Sequence, residues 1–186
     1  SDVCSSDLLV AATGYDVIDT QAARAHGVTV CNVPAYSTLS VAQHTLALLL
    51  EVTNRVGHYA ALDREGYWAR SADFSLWDEA VEELAGHRVT VVGMGNIGRK
   101  VAELLSVLEA KVCVVTSKPA STFPSFKKIT LEEAFSTSRV VSLHCPLVAG
   151  NRAFVNAELL SRTKPGMILV NTARGALVDD NAVAVA

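Results

Sequence analysis

The segment Gly93-Met94-Gly95-Asn96-Ile97-Gly98 sets three glycines at the spacing of a diphosphate cradle. Gly93 permits a tight turn, Gly95 lets the backbone approach a pyrophosphate, and Gly98 lets a helix pack closely on a strand. The start of the helix adds free N–H groups and a positive dipole end. Such a motif is weak alone and gains weight from its flanks. Arg88 to Val92 reads as a β-branched strand before it. The helix after it carries Val101, Ala102, Leu104, Leu105 and Leu108 on its inner side, and Lys111 to Thr116 reads as the next strand. Strand, glycine turn, helix and strand together predict a dinucleotide site. Its selectivity is decided where the second strand ends. An acid there would bond the ribose 2′-hydroxyl of NAD, but this strand ends Thr116-Ser117-Lys118. Hydroxyls and a lysine suit a 2′-phosphate, so the cofactor is NADP or NAD, leaning towards NADP.

Alternating elements surround this unit. Leu8 to Ala12 reads as a strand ending at Thr13-Gly14. Asp19 or Thr20 can cap a short helix that Gly27 closes. Val28 to Cys31 is a strand halted by Pro34. Ser40 is expected to cap a long helix, apolar around most of its circumference and therefore expected to be buried, in part against a second subunit. Residues 58–86, with Trp68 and Trp77, read as a helix end and a long connection. Thr130 caps Leu131 to Phe135, Val140 to Leu143 is a strand, Asn156 caps a short helix, and Met167 to Asn171 is the last strand. Strands apolar on both faces and joined by helices predict an α/β, Rossmann-type doubly wound parallel sheet.

Composition narrows the class. Half of the 186 residues are hydrophobic, and the net charge of -3 comes from interspersed acids and bases. That argues against a nucleic-acid or membrane surface, and no apolar run has the length of a membrane span. Cys4, Cys31, Cys113 and Cys145 form no CxxC pair. They read as small buried hydrophobes in a reducing cytoplasm, with no metal site. Residues 1–7 read unlike the rest and are set aside as candidates for a non-native segment. The chain stops in what reads as a young helix, so a C-terminal truncation is expected.

Several segments together resemble the D-isomer-specific 2-hydroxyacid dehydrogenase family. They are Asn32-Val-Pro34, Ser40-Val-Ala-Gln-His44, the glycine segment 93–98, Leu143-His-Cys-Pro-Leu147 and Asn171-Thr-Ala-Arg-Gly-Ala-Leu-Val-Asp179. Gly66-Tyr-Trp68 through Asp73-Phe74, with Gln43-His44, is similar to the glycerate dehydrogenase/hydroxypyruvate reductase branch. The resemblance runs from about Leu8 to the end. It implies hydride transfer between a nicotinamide cofactor and a 2-oxo or 2-hydroxy acid such as hydroxypyruvate/glycerate or glyoxylate. It implies that residues 1–35 are the C-terminal remnant of a flavodoxin-like substrate domain and 36–186 an NAD(P)-binding domain. It also implies a homodimer through the helix after Ser40.

By the same resemblance, Arg174 is the catalytic arginine. A guanidinium can hold the substrate carboxylate and the carbonyl oxygen that gains negative charge. Arg174 also lies just past a strand end, where open α/β sheets bind ligands. Thr13 and Gly14 resemble the turn whose N–H groups receive the substrate carboxylate. Gly93, Gly95, Asn96, Ile97, Gly98, Thr116, Ser117, Lys118, His144, Cys145, Pro146, Thr172 and Ala173 are the implied cofactor contacts. The reaction needs a general acid, for which a histidine is suited. The family's Glu and His follow the arginine segment and fall beyond Ala186. His144 is expected in the cofactor cleft, His44 packed on the buried helix, and His26, His58 and His87 at the surface. The chain by itself is therefore expected to be nearly or wholly inactive, an expectation that robust turnover of hydroxypyruvate or glyoxylate would overturn. Two other readings are a non-catalytic dinucleotide-sensing scaffold, since this fold also serves a transcriptional corepressor, and another Rossmann enzyme such as an adenosylhomocysteinase-like hydrolase. The Asn-Thr-Ala-Arg-Gly text speaks against the latter.

Overall fold

A computed structural model describes residues 7–76 and 78–186; Cys4, Trp77 and most of the segment 1–7 lie outside the described residues. The chain opens with β1 (Leu8–Val10), α1 (Thr20–Ala25) and β2 (Val30–Asn32), and β1 and β2 pair in parallel. Asp19 caps α1, its carboxylate accepting from the N–H groups of Gln21 and Ala22, and Gly27 ends it at φ +69°. That is the αL position for which glycine carries no Cβ penalty.

Next comes α2 (Thr38–Asn54), capped at Ser37. Ser40 is not the cap: it lies inside the first turn and its hydroxyl donates to the Ser37 carbonyl. Arg55, left-handed at φ +51°, then breaks the chain into α3 (Val56–Arg64), which α4 (Tyr67–Arg70) follows. The helix end expected at the start of 58–86 is thus a separate helix, α3, and the expected connection also holds α4, too short to give a periodicity to read.

The remaining elements are β3 (Arg88–Val92), α5 (Asn96–Val107), β4 (Lys111–Val115), β5 (Lys127–Lys128), α6 (Leu131–Thr137), β6 (Val140–Leu143), α7 (Ala157–Leu160), β7 (Ile168–Asn171) and α8 (Asp180–Ala184). Five strands pair in parallel in the order β5-β4-β3-β6-β7. The two-residue β5 passed unseen in the sequence because a Lys-Lys pair carries no apolar signal. Side chains alternate across the sheet with period two. Val89, Val91, Val140 and Val170 pack on one face with Val101 and Leu105 of α5 and Ala42 and Leu49 of α2. Val92, Cys113, Val141 and Leu143 pack on the other with Phe135, Leu159 and Leu177. Helices on both faces are what the doubly apolar strands require. A fully buried side chain such as Leu49, 1% exposed, contributes about 1.5–3 kcal/mol.

Three expectations about burial fail. α2 buries only one stripe, Ala42, Thr45, Leu49 and Thr53, while Leu39, Leu48 and Val52 are exposed and His44 is exposed with them. On α5, Leu104 is half-buried and Leu108 is exposed, because the sheet covers only the stripe of Gly98, Val101, Ala102 and Leu105. Of the three described thiols, Cys113 is buried, Cys145 intermediate and Cys31 exposed, so the expectation of buried cysteines holds for Cys113 alone among them. Among the described residues, no helix is long and apolar enough to cross a membrane, and no cluster of His, Cys, Asp and Glu is suited to a metal ion.

Candidate active site

The sheet order reverses at β3, with β4 and β5 on one side and β6 and β7 on the other. The crevice at the carboxyl ends of the strands beside such a reversal is where ligands bind in open α/β sheets. The glycine turn occupies it. Gly93 has φ +99°, and a Cβ there would stand 2.5 Å from the Cys145 amide nitrogen. The turn is thus pressed beneath the residues that leave β6. A Cβ on Gly98 would overlap the Gly93 carbonyl oxygen, so α5 can start this close to β3 only with glycine. Around Gly95 the space is open, with nothing within 4 Å of its would-be Cβ.

α5 begins at Asn96, with Gly95 at its cap, so Gly98 belongs to the first turn and the helix does not wait until after it. Its first internal bond runs from the Arg99 N–H to the Gly95 carbonyl at 3.0 Å. The amides of Asn96, Ile97 and Gly98 therefore precede the ladder, with the positive end of the helix behind them. An open approach at Gly95 and a row of outward donors fit the diphosphate of a dinucleotide.

At the end of β4, the Thr116 hydroxyl accepts from the Lys118 N–H at 3.2 Å. The Lys118 ammonium reaches back to the Met94 carbonyl in the glycine turn at 3.0 Å. Lys118 and Arg99 both stand over the Phe123 ring, 5.8 and 4.9 Å from its centroid. Lys128 donates to the Lys118 carbonyl at 2.8 Å. Three cations converge beside exposed Ser117, and among the described residues no carboxylate pairs with Arg99, Lys118 or Lys128. Arg99 and Lys128 were missed in the sequence. Arg99 could have been marked by its place directly after the last glycine, whereas Lys128 sits on a strand that had no signal.

β6 delivers His144, Cys145 and Pro146 to the same crevice. The His144 N–H donates to the Val92 carbonyl at 2.7 Å, and its ring Nε2 lies 2.8 Å from the Ser142 hydroxyl. Burial lowers the imidazole pKa to about 4, so the ring is neutral at pH 7 and has no proton to give as an acid. Burial likewise pushes the Cys145 thiol up, which keeps it protonated.

β7 ends in the arginine turn. Asn171 clamps it from both sides: its side-chain oxygen accepts from the Ala173 N–H at 3.0 Å, and its amide donates to the Arg174 carbonyl at 2.8 Å. The Thr172 hydroxyl lies 2.9 Å from that of Thr45, tying the turn to α2. The Thr13–Gly14 turn is tied as well. The Asn32 amide donates to the Thr13 carbonyl at 2.7 Å, and the Thr13 hydroxyl lies 3.3 Å from both the Val33 carbonyl and the Ser37 hydroxyl.

These two turns meet. The guanidinium of Arg174 lies so close to Gly14 that a Cβ there would overlap its Nη2. Arg174 Nε donates to Asp16 at 2.7 Å and Nη1 to the Ala173 carbonyl at 2.8 Å. The hydrogen bond and charge of Arg174 hold the Asp16 carboxyl below its ordinary range. Asn32, Asn171 and Asp16 were not singled out as site residues in the sequence. An Asn closing a strand could have flagged the first two, but Asp16 gives no local signal of a partner 158 positions away.

Comparison with known proteins puts these features in a family. The chain is 37% identical over 171 residues to a hydroxypyruvate reductase of Blautia hydrogenotrophica, covering 91% of this chain and 53% of that protein. It is 35% identical over 176 residues to a glycerate dehydrogenase of Methylorubrum extorquens, covering 95% and 54%. The structure superposes on D-lactate dehydrogenase from Aquifex aeolicus, complexed with NAD and lactic acid, with TM-score 0.81, 31% identity, and coverage of 96% of this chain and 53% of that one. The chain thus spans about half the length of the curated relatives it matches. Residues 46–186 match the model described as D-isomer specific 2-hydroxyacid dehydrogenase, NAD binding domain, and the chain belongs to that family.

Proposed function

We propose that the protein is an NAD(P)-dependent oxidoreductase that moves a hydride between the nicotinamide and a 2-oxo/2-hydroxy acid, with hydroxypyruvate/glycerate or glyoxylate as the substrate class. One observation carries this reading. Arg174 stands against the Thr13–Gly14 turn, at the same strand-end mouth as a glycine turn that has no room for a Cβ at positions 93 and 98.

The amides of Asn96, Ile97 and Gly98 bind the diphosphate, and the neutral ring of His144 with Cys145 and Pro146 walls the crevice. When bound, the cofactor supplies or accepts the hydride. Thr172 and Ala173 border it, and the free edge of Arg174 takes the substrate carboxylate and the carbonyl oxygen as that oxygen gains charge. The N–H groups of the Thr13–Gly14 turn complete the carboxylate pocket. In this reading the proton donor is neither His144, which is neutral, nor the exposed His44. It belongs to the acid–base pair that the family places after the arginine segment.

Finer assignments extend this reading. NADP is the preferred cofactor, because Thr116, Ser117 and Lys118, joined by Arg99, offer hydroxyls and cations where NAD selection calls for an acid. Residues 1–35 belong to the substrate domain and 36–186 to the cofactor domain. A homodimer, with a cytoplasmic location, uses the exposed Leu48 and Val52 of α2.

The test has two arms. NADPH and NADH are titrated against the chain, with tighter binding of NADPH expected. Oxidation of each is then followed with hydroxypyruvate and glyoxylate in the whole protein. Binding without turnover of any 2-oxo acid would remove the enzyme reading and leave a dinucleotide-binding one.

A further inference from the structure

Arg174 is held at more points than a surface arginine needs. Of the five N–H donors of a guanidinium, one at Nε is taken by Asp16 and one at Nη1 by the Ala173 carbonyl. Two bonds on different edges fix the plane of the group. The donors that remain are on Nη1 and Nη2, and Nη2 is the atom that lies over Gly14. Asp16 is only two residues beyond that glycine, on the same turn. The turn that is proposed to receive the substrate carboxylate therefore also supplies the anion that orients the arginine facing it.

We propose that Asp16 is a positioning residue for Arg174: by holding Nε it aims the terminal nitrogens at the Thr13–Gly14 turn, where the substrate carboxylate is received. The inference rests on the dehydrogenase reading above and adds a residue to it. Stability is not what the pair is for. The two side chains are 27% and 38% exposed, and exposed pairs contribute little to folding. Nor is the pair favourable to simple attraction, since a carboxylate at Nε offsets part of the charge the substrate would feel. What it supplies is direction. A planar fork held on one edge presents the other edge in one orientation, and a reacting group misplaced by a fraction of its reach loses most of its effect. The pair also joins β1–β2 to the end of β7, so the orientation of Arg174 depends on how those two parts sit together.

The opposite role for the same contact would be a latch, with Asp16 occupying the arginine until substrate displaces it. The geometry speaks against this, because Asp16 takes only the Nε–H and Ala173 one N–H of Nη1, leaving the N–H groups of Nη2 without a partner among the described residues.

Asp16→Ala and Asp16→Asn in the whole protein separate the two roles. Asp16→Ala is expected to lower kcat/KM for 2-oxo acids by about 10–100-fold, in line with a displaced reacting group, with NADPH affinity unchanged. Asp16→Asn keeps an oxygen acceptor for Nε and is expected to recover most of the loss. In parallel, the Nε–H resonance of Arg174, read by NMR in the unsubstituted chain, is expected to be resolved and protected from exchange. It should join the exposed arginines in Asp16→Ala. A kcat/KM within twofold of the parent, or raised as a latch demands, overturns the proposal. So does an Nε–H resonance that Asp16→Ala leaves unchanged. If no 2-oxo acid is turned over by the parent while the resonance is lost in Asp16→Ala, the dehydrogenase reading falls and the positioning of Arg174 by Asp16 stands.

Discussion

The glycine turn after β3 and the junction of Arg174 with the Thr13–Gly14 turn serve neighbouring parts of one crevice, yet they are built in opposite ways. The glycine turn is local. Its geometry comes from six consecutive residues, its donors are backbone amides, and its tolerances are set by backbone atoms of Gly93 and Cys145. The junction is non-local. It depends on side chains of Asn32, Asn171 and Asp16 that bring together segments 158 positions apart. A local, main-chain site is rigid and survives most side-chain changes. A site assembled from side chains can be disabled by one of them. The two should therefore separate cleanly under substitution.

The largest effect is expected at the junction. Arg174→Met removes the guanidinium while keeping an unbranched stem. It should cost about 100- to 1,000-fold in kcat, or roughly 3–4 kcal/mol, the scale of losing a preorganised donor to a developing oxyanion. Dinucleotide binding, measured by titration, should stay within a few-fold. If cofactor affinity fell in step with kcat, the two regions would not be independent and the contrast drawn here would fail.

The next effect belongs to the wall of the cofactor crevice. His144 titrates near 4 in the folded chain because it is buried, against about 6.5 when exposed. A folded pKa below the unfolded one means that the unfolded chain binds the extra proton. The contribution of the neutral ring is thus complete above about pH 6.5 and is lost as the pH falls from there to about 4. The full loss is about 3 kcal/mol. Urea unfolding across that range should show the decline, and His144→Gln should flatten it. Asp16 and Glu82 have carboxyls held low by Arg174 and Arg139. Their contributions begin to fade as the pH falls into the ordinary carboxylate range, at the acid end of this window, and the comparison with His144→Gln separates them from the histidine. A stability curve equally steep in His144→Gln would assign the decline elsewhere.

Within the glycine turn, two substitutions should part fold from binding. Gly98→Ala sets a methyl against the Gly93 carbonyl and should destabilise the chain by about 1–3 kcal/mol, as overpacking does. Gly95→Ala meets nothing in the chain, so unfolding should shift by no more than about 0.5 kcal/mol. Its methyl would instead stand in the path of the diphosphate, and binding of both NADPH and NADH should fall. Equal losses of stability in the two variants would mean that the space around Gly95 is not the approach path.

The same contrast explains what could be read from the sequence. Strand boundaries at Arg88–Val92 and Val140–Leu143, and the caps at Thr130 and Asn156, agree with the structure, and of the two candidates Asp19 and Thr20 the cap is Asp19. Each rests on neighbours in sequence: β-branched runs, or a side chain reaching two or three residues along. Ser40 looks like a cap but lies in the first turn of α2, which starts at Thr38, an error of local register. Other errors arose where a partner outside the segment decides. The circumference of α2 is apolar, yet only its Ala42, Thr45, Leu49 and Thr53 stripe has α5 and β7 to pack against, leaving His44 outside. β5 exists only as a partner of β4. Likewise motifs marked the glycine turn, Arg174 and the Thr13–Gly14 turn each by itself, while Asp16, which joins the last two, became visible only through its contact with Arg174.

The smallest effect sharpens the comparison at the rim of the cofactor crevice, where a local turn borrows a side chain. Lys118 bonds the Met94 carbonyl and shares the Phe123 ring with Arg99. If the lysine faces a 2′-phosphate, Lys118→Ala should weaken NADPH about five- to tenfold, the worth of one solvent-exposed charge-assisted bond of about 1 kcal/mol. NADH, which lacks the phosphate, should be nearly unaffected, so the ratio of the two dissociation constants is the quantity to read. Raising ionic strength should narrow the NADPH advantage in the parent and do less in the variant, because the lost term is screened. Were both cofactors weakened alike, the lysine would act by shaping the glycine turn through Met94, and the choice between cofactors would pass to Arg99.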